Sequence, residues 1–306
     1  MSKHVAVLMG GWSAEREVSL VSGAAVAKSL KAQGYKVTTI DVGRDVSALL
    51  DALHPRPNVV FNALHGRYGE DGIVQGMLEI LGIPYTHSGV LASALAMDKP
   101  TARRLFRDAG LNVAEGLVLS RDEVLAGDFM TPPYVIKPIN EGSSVGVRIV
   151  QGSDNQRPFE DTAWPYGDHV LIERYIPGRE IQVAVMGDQA LGAIEIRPKG
   201  KFYDYEAKYT AGKADHLMPA PLAPKAYEEA LHVALVAHQT LGCRGVSRTD
   251  LRYDDTQGEP GKFYVLEVNT QPGMTPLSLV PEIAAHKGIG FDQLVSMIVE
   301  DASCPR

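Results

Sequence analysis

Three short apolar runs near the N-terminus constrain the fold more than any other feature: residues 5–9 (VAVLM), 36–42 (KVTTIDV) and 58–64 (NVVFNAL). Each has strand length. Residues 17–33 between the first two carry helical periodicity and stop at Gly34. The third run leads into HGRYGEDG and a helix expected near 73–81. Strand–helix alternation joins parallel strands, so roughly the first 95 residues read as a parallel sheet flanked by helices.

The pattern then changes. Residues 98–110 read as a helix, with Asp98 as N-cap and Gly110 as stop. Strands expected at 134–138, 145–150, 169–174 and 180–186 are joined by short turns, which suggests an antiparallel sheet. A third block begins near 178. It holds a strand at 189–196, a polar Tyr- and Lys-rich stretch at 199–216, a helix at about 224–241, strands at 245–252 and 262–269, and a last helix near 291–301. The stretch 152–168 reads as loop and carries no motif.

Composition narrows the class. The chain has 306 residues, enough for two or three domains, and its 45% apolar content can build real cores. A net charge of −7 argues against nucleic acid as a partner. Cys243 and Cys304 make no disulfide framework, and Cys243 reads as a buried, inert thiol. Five apolar residues before Gly10-Gly11 are too few for a signal peptide or a membrane span, so a cytoplasmic protein is expected.

Five segments carry chemistry. KPINEGSSVGV (137–147) sets Lys137 at a strand end before a Gly/Ser loop. Backbone N–H groups and serine hydroxyls there suit phosphate oxygens, although a plain hairpin turn has the same composition. LIERYIPGRE (171–180) flanks a turn with Glu173 and Glu180; an apolar strand and backbone edges suit an adenine and a carboxylate suits ribose hydroxyls, or else this is a solvated strand end. RTDL (248–251) and VLEVNTQPGMT (265–275) place Asp250, Glu267 and Asn269 on two otherwise apolar strands. Carboxylates there need a partner or a cation, and an oxygen-only set favours Mg²⁺; the competing reading is a buried salt bridge from Arg248 to one acid. GGWSAERE (10–17) delivers Glu15 to a helix start, as dipole partner or as ligand. His65 and Gly66 follow another strand in the equivalent position. The stretch 199–216, with Tyr203, Tyr205, Lys208 and Tyr209, reads as a lid.

Together these segments resemble the D-alanine–D-alanine ligase family of the ATP-grasp superfamily. The resemblance runs over nearly the whole chain in the family's order, with EGSSVGV, FYDYEAKY and NTQPGMT as its most specific parts. It implies three α/β domains, here 1–96, 97–177 and 178–306, with ATP between the second and third. By resemblance, Lys99 and Lys137 meet the ATP phosphates, and Ser143 and Ser144 form the phosphate loop. Glu173 and Glu180 contact adenine and ribose, with Glu141, Arg174, Tyr175, Ile176, Tyr203 and Lys208 as further ATP contacts. Asp250, Glu267 and Asn269 would hold Mg²⁺, two ions in number, with Mn²⁺ as an alternative. Glu15 resembles the acid that holds the first D-alanine's ammonium, and His65 the histidine beside its carboxyl end. Lys208 and Ser278 resemble the group that grips the second D-alanine's carboxylate. Tyr209 resembles the lid tyrosine that bonds to Ser143, and Arg248 with the Gly273 amide resembles the oxyanion stabilisers. Residue 174 is Arg where some members have Lys, and 152–168 is shorter and richer in proline than in relatives.

The activity implied is condensation of two D-alanines, for peptidoglycan precursors, through a D-alanyl phosphate made with ATP. A homodimer is implied as well. The rivals are a D-alanine–D-lactate ligase, which Tyr209 disfavours, and a non-catalytic ATP-binding module, which the set Asp250, Glu267, Asn269 and Arg248 disfavours. A Rossmann oxidoreductase would need GxGxxG after the first strand.

Overall fold

The computed structural model describes residues 2–127, 129–140, 142, 146–152, 164, 167–199 and 212–306. Its first sheet is parallel, in the order β2-β1-β3, from β1 (His4–Gly10), β2 (Lys36–Val42) and β3 (Val59–Asn62). Helices α1 (Arg16–Ala32), α2 (Val46–Ala52) and α3 (Ile73–Leu81) accompany it, and α4 (Val90–Met97) follows but buries Ala92 in a different core. Helices α2 and α4 are additions to the expected set. The Asp45 carboxylate starts α2 by accepting from the Ala48 N–H at 3.1 Å. Strand β3 ends at Asn62, whose side chain accepts from the Leu64 N–H and turns the chain out of the sheet.

Helix α5 (Lys99–Asp108) begins as expected at Asp98, which accepts from the Thr101 N–H at 2.9 Å. The second sheet is antiparallel, in the order β4-β7-β5-β6, from β4 (Gly116–Ser120), β5 (Tyr134–Pro138), β6 (Arg148–Val150) and β7 (His169–Arg174). Strand β4 and the short helix α6 (Arg121–Ala126) are also additions, and Ser120 and Glu123 start that helix as a capping box. The strand expected over 145–150 begins only at Arg148, because Gly146 at φ +71° turns the chain away from the ladder.

The third sheet is antiparallel: β10 (Ala214–Leu217), β9 (Gln189–Pro198), β8 (Arg179–Met186), β11 (Val246–Asp254) and β12 (Lys262–Asn269), in that order. The strand expected over 180–186 therefore belongs here and not with the second sheet. Helices α7 (Pro224–Thr240), α8 (Leu279–His286) and α9 (Phe291–Glu300) complete the chain.

Strand alternation decides what faces the site. Ile181, Val183 and Val185 of β8, with Leu251 and Tyr253 of β11, pack with Ala230, Val233 and Ala234 of α7 and Phe106 of α5. Glu180, Gln182, Arg248 and Asp250 alternate with them and so fall on the opposite face. Part of that face joins a second core, in which Ile194 and Ile283 meet Val5, Val26 and Phe61 of the first sheet. The second sheet keeps its own small core of Val124, Tyr134, Ile136, Val150, Val170 and Ile172. No described helix is long and apolar enough to cross a membrane.

Candidate active site

Where the first and third sheets meet, an open cleft with about 860 Å³ of space collects polar residues from distant parts of the chain. Glu15, His65, Lys99, Arg248, Glu267, Asn269, Gly273 and Ser278 all line it, so eight of the expected site residues are brought together.

Glu15 heads α1 without capping it. Its carboxylate instead lies against Gly66 and Gly142, where an added Cβ would stand 2.7 and 2.8 Å from Oε2. The site reading thus explains its direction better than the helix dipole does. The Ser13 hydroxyl joins the two strand-end loops: it accepts from the Glu15 N–H at 3.2 Å and donates to the His65 carbonyl at 2.7 Å. His65 Nε2 lies 3.4 Å from Ser22 Oγ, and that hydroxyl also accepts from the Met274 N–H at 3.1 Å. His65 Nδ1 is 4.0 Å from Oε2 of Glu70.

Arg248 holds Asp250 through two bonds, Nε to Oδ1 at 2.7 Å and Nη2 to Oδ2 at 2.9 Å. The salt bridge weighed against metal binding is therefore present, yet it leaves Arg248 on the cleft wall. Antiparallel pairing sets Asp250 opposite Glu267 and Arg248 opposite Asn269. Asn269 Oδ1 accepts from the Gln271 N–H at 3.0 Å. Ser278 is the N-cap of α8 but makes no side-chain cap bond; its hydroxyl accepts from the Thr275 N–H at 2.9 Å and lies against Gly273, where a Cβ would meet it at 2.8 Å. The 270–278 loop is thus bent around that hydroxyl.

Lys99, the first residue of α5, is buried and stands 3.9 Å from Glu267. Burial pushes its ammonium down; Glu267 chiefly opposes this and Lys137 adds to it. Beside it, Lys137 Nζ lies 2.5 Å from Oε2 of Glu173, whose other oxygen accepts from Arg103. All three side chains are largely buried. Lys137, Glu173, Glu180, Tyr175, Ile176 and Asp250 stand behind the cleft lining or beyond it. Glu180 lies 3.8 Å from Arg252, and the Ile176 carbonyl accepts from the same arginine at 3.1 Å. Arg174 turns its guanidinium to Glu115 at the surface, 3.2 Å away. Glu141, Ser143, Ser144, Tyr203, Lys208 and Tyr209 lie outside the described residues, as do residues 200–211 of the expected lid.

The sequence reading passed over three residues. Glu70 lines the cleft in GEDG, a string that resembles any acidic turn. Gln182 is uncharged within an apolar strand. Arg103 reads only as a helix residue, though it lies four positions after Lys99 and so shares its face. Cys243 is buried as expected, and burial pushes its thiol up to about 12.

The chain matches two family models, "D-ala D-ala ligase N-terminus" over residues 4–52 and 48–88, and "D-ala D-ala ligase C-terminus" over residues 105–300. A D-alanine–D-alanine ligase of Methylocella silvestris is 60% identical, and the match covers all of both chains. One of Rhodospirillum rubrum is 57% identical over 99% of each. A crystal structure of D-alanine–D-alanine ligase from Bacillus anthracis complexed with ATP aligns with a TM-score of 0.82 at 32% identity, covering 98% of this chain and 97% of that one.

Proposed function

The chain belongs to the D-alanine–D-alanine ligase family, with the ATP-grasp fold and ATP-dependent ligase activity of that family, and from that premise we propose how its own residues join two D-alanines. The observation that carries the proposal is the convergence of Glu15, Arg248, Gly273 and Glu267 on one cleft from separate parts of the chain.

A carboxylate does not acylate an amine in water, because its leaving group is poor. The first D-alanine's carboxylate oxygen attacks the γ-phosphorus of ATP, the bond to ADP breaks, and D-alanyl phosphate forms. Glu15 holds that alanine's ammonium, and His65 stands beside its carboxyl end. Lys99 and Lys137 neutralise the phosphates, and the paired Lys137–Glu173 side chains mark the nucleotide's side of the site. The second alanine's amine then attacks the acyl carbon. Arg248 and the Gly273 N–H donate to the oxyanion, the C–O bond to phosphate breaks, and the amine's proton ends on the departing phosphate. Ser278 binds the second alanine's carboxylate. Among residues outside the described set, Ser143 and Ser144 receive phosphate, Lys208 and Tyr209 close over the alanines, and Glu141 and Tyr203 contact ATP. Glu180, with the backbone at Arg174, Tyr175 and Ile176, meets the nucleoside.

The donor chemistry fits a divalent cation. Asp250 and Glu267 offer carboxylates and Asn269 an amide oxygen, and each Asp250 oxygen keeps a second lone pair beyond its bond to Arg248. When bound, Mg²⁺ offsets the charge that accumulates on the transferring phosphoryl group. We also assign a homodimer: Ile73, Ile80 and Leu91, on α3 and α4, are 56, 88 and 71% exposed and form an apolar face that a second copy would cover. The division 1–96, 97–177 and 178–306 is kept, and ATP dependence places the reaction in the cytoplasm.

Phosphate release measured with D-alanine, L-alanine and D-alanine plus D-lactate tests the reading. Release with D-alanine alone supports it. Equal release with L-alanine, or release only when D-lactate is supplied, sinks it.

A further inference from the structure

Gln182 sits in the middle of β8 and is fully buried, yet it reaches the cleft wall. Its Oε1 has no hydrogen-bond partner among the described residues. The orientation of the amide is fixed, because its Nε2 donates to Oε1 of Glu180 at 3.2 Å. A carboxylate only accepts, so turning the amide round would set two acceptors against each other. The oxygen is therefore left without a donor, in a side chain that lines the cleft. Buried acceptors without donors are rare in folded proteins, and one carried by a cleft-lining residue points to a ligand.

Strand register identifies the chemistry. Gln182 lies opposite Asp250, and Asp250 lies opposite Glu267. The three oxygen-bearing side chains form one row across β8, β11 and β12, and directly opposed residues have Cβ atoms about 4.5–5.5 Å apart. Among the described residues, no three acidic, histidine or cysteine side chains gather closely enough to cage a metal. Asp250, Glu267 and Asn269 leave part of a hard cation's shell to phosphate and water, and a further neutral amide oxygen is a suitable donor.

We propose that Gln182 supplies a further oxygen to the divalent cation that the reading above gives to Asp250, Glu267 and Asn269, and the proposal rests on that reading. The role lies in cation affinity: Oε1 is held at the edge of the row by Glu180, so the donor is oriented before the ion arrives.

The test is Mn²⁺ binding to the full-length protein with ADP present, followed by electron paramagnetic resonance of free Mn²⁺. Gln182→Met keeps the volume and removes the oxygen, and should weaken Mn²⁺ binding by about tenfold, the lower end of the loss seen when supporting groups at metal sites are removed. Gln182→Leu likewise removes the oxygen without adding a charge beside Glu180, and should weaken Mn²⁺ binding to a similar extent. Unchanged affinity in Gln182→Met overturns the assignment. Should that variant fail to fold, Gln182→Leu decides, and affinity unchanged from the parent overturns the assignment. The double variant Asp250→Asn, Glu267→Gln separates the two levels. If it still binds Mn²⁺ like the parent, the cation site and the role of Gln182 fall together. If it loses binding while Gln182→Met does not, only the role of Gln182 falls.

Discussion

Arg248 and Asp250, two residues apart on one strand, are joined by a two-pronged ion pair with bonds of 2.7 and 2.9 Å, and the carboxylate is only 4% exposed. The arginine thus has two tasks: it satisfies a buried acid and presents donors to the cleft. Arg248→Lys should keep the positive charge but lose the fork. Steady-state turnover should fall about 10²–10³-fold, the usual loss of one oxyanion donor. Arg248→Met should in addition destabilise the fold by about 3–5 kcal/mol, since it strands a buried charge. Urea unfolding of both variants checks the split, and equal stability losses would count against it.

Gly66 and Glu15 are coupled by space. Gly66 adopts φ +69°, and a methyl group there would stand 2.7 Å from the Glu15 carboxylate. Gly66→Ala should therefore mimic Glu15→Gln in part: both raise KM for D-alanine while KM for ATP changes little. Initial-rate kinetics with each substrate varied would show this, and an equal rise in both KM values would remove Glu15 from its proposed role.

Arg103, Glu173 and Lys137 form a buried chain of charges that Gly116 accommodates, because a Cβ there would meet Arg103 Nη1 and the Ile172 carbonyl, each at 2.8 Å. Arg103→Met should cost about 3–5 kcal/mol of stability and raise KM for ATP more than KM for D-alanine. Gly116→Ala should act in the same direction. Thermal melts and ATP titrations are the measurements.

Two histidines make stability depend on pH. Burial, aided by Arg306 and His65, pushes His87 down to about 3, and burial pushes His238 down to about 4. Both start from an ordinary value of 6.5. Below that value the unfolded chain takes up protons that the folded chain refuses, so stability is complete above about pH 6.5 and falls as pH drops toward 4. Each group contributes a loss approaching 1.4 kcal/mol, to order of magnitude, per pH unit within its window. His87→Asn tolerates the φ of +67° at this position and should roughly halve the slope of unfolding free energy between pH 6 and 4.5. Urea titrations across that range test it.

How far the sequence could be read followed the strength of local signals. Lys36–Val42 and Lys262–Asn269 have the expected bounds because apolar alternation and turn residues agree at both ends. Val90–Met97 was missed because VLASALAM is apolar nearly all round, so no face stands out. Gly116–Ser120 was missed because it is a largely exposed edge strand with no clean alternation. In the cleft, charged residues in apolar strands were visible. Gln182 was not, since a neutral amide in a strand signals nothing until its unpaired oxygen is located. Arg103 was hidden for a different reason: its partner Glu173 lies seventy positions away, and no local pattern encodes that pairing.

The apolar mass shared by the first and third sheets has a mechanical consequence. Val5 and Phe61 cannot slide past Ile194 and Ile283 without opening a void, so those two layers behave as a single chassis. Ile136 and Ile172 belong to a separate, smaller nucleus that shares none of those side chains. The charged link from Arg103 to Glu173 is then a tie between that nucleus and the helix whose Phe106 is buried in the core of the third sheet.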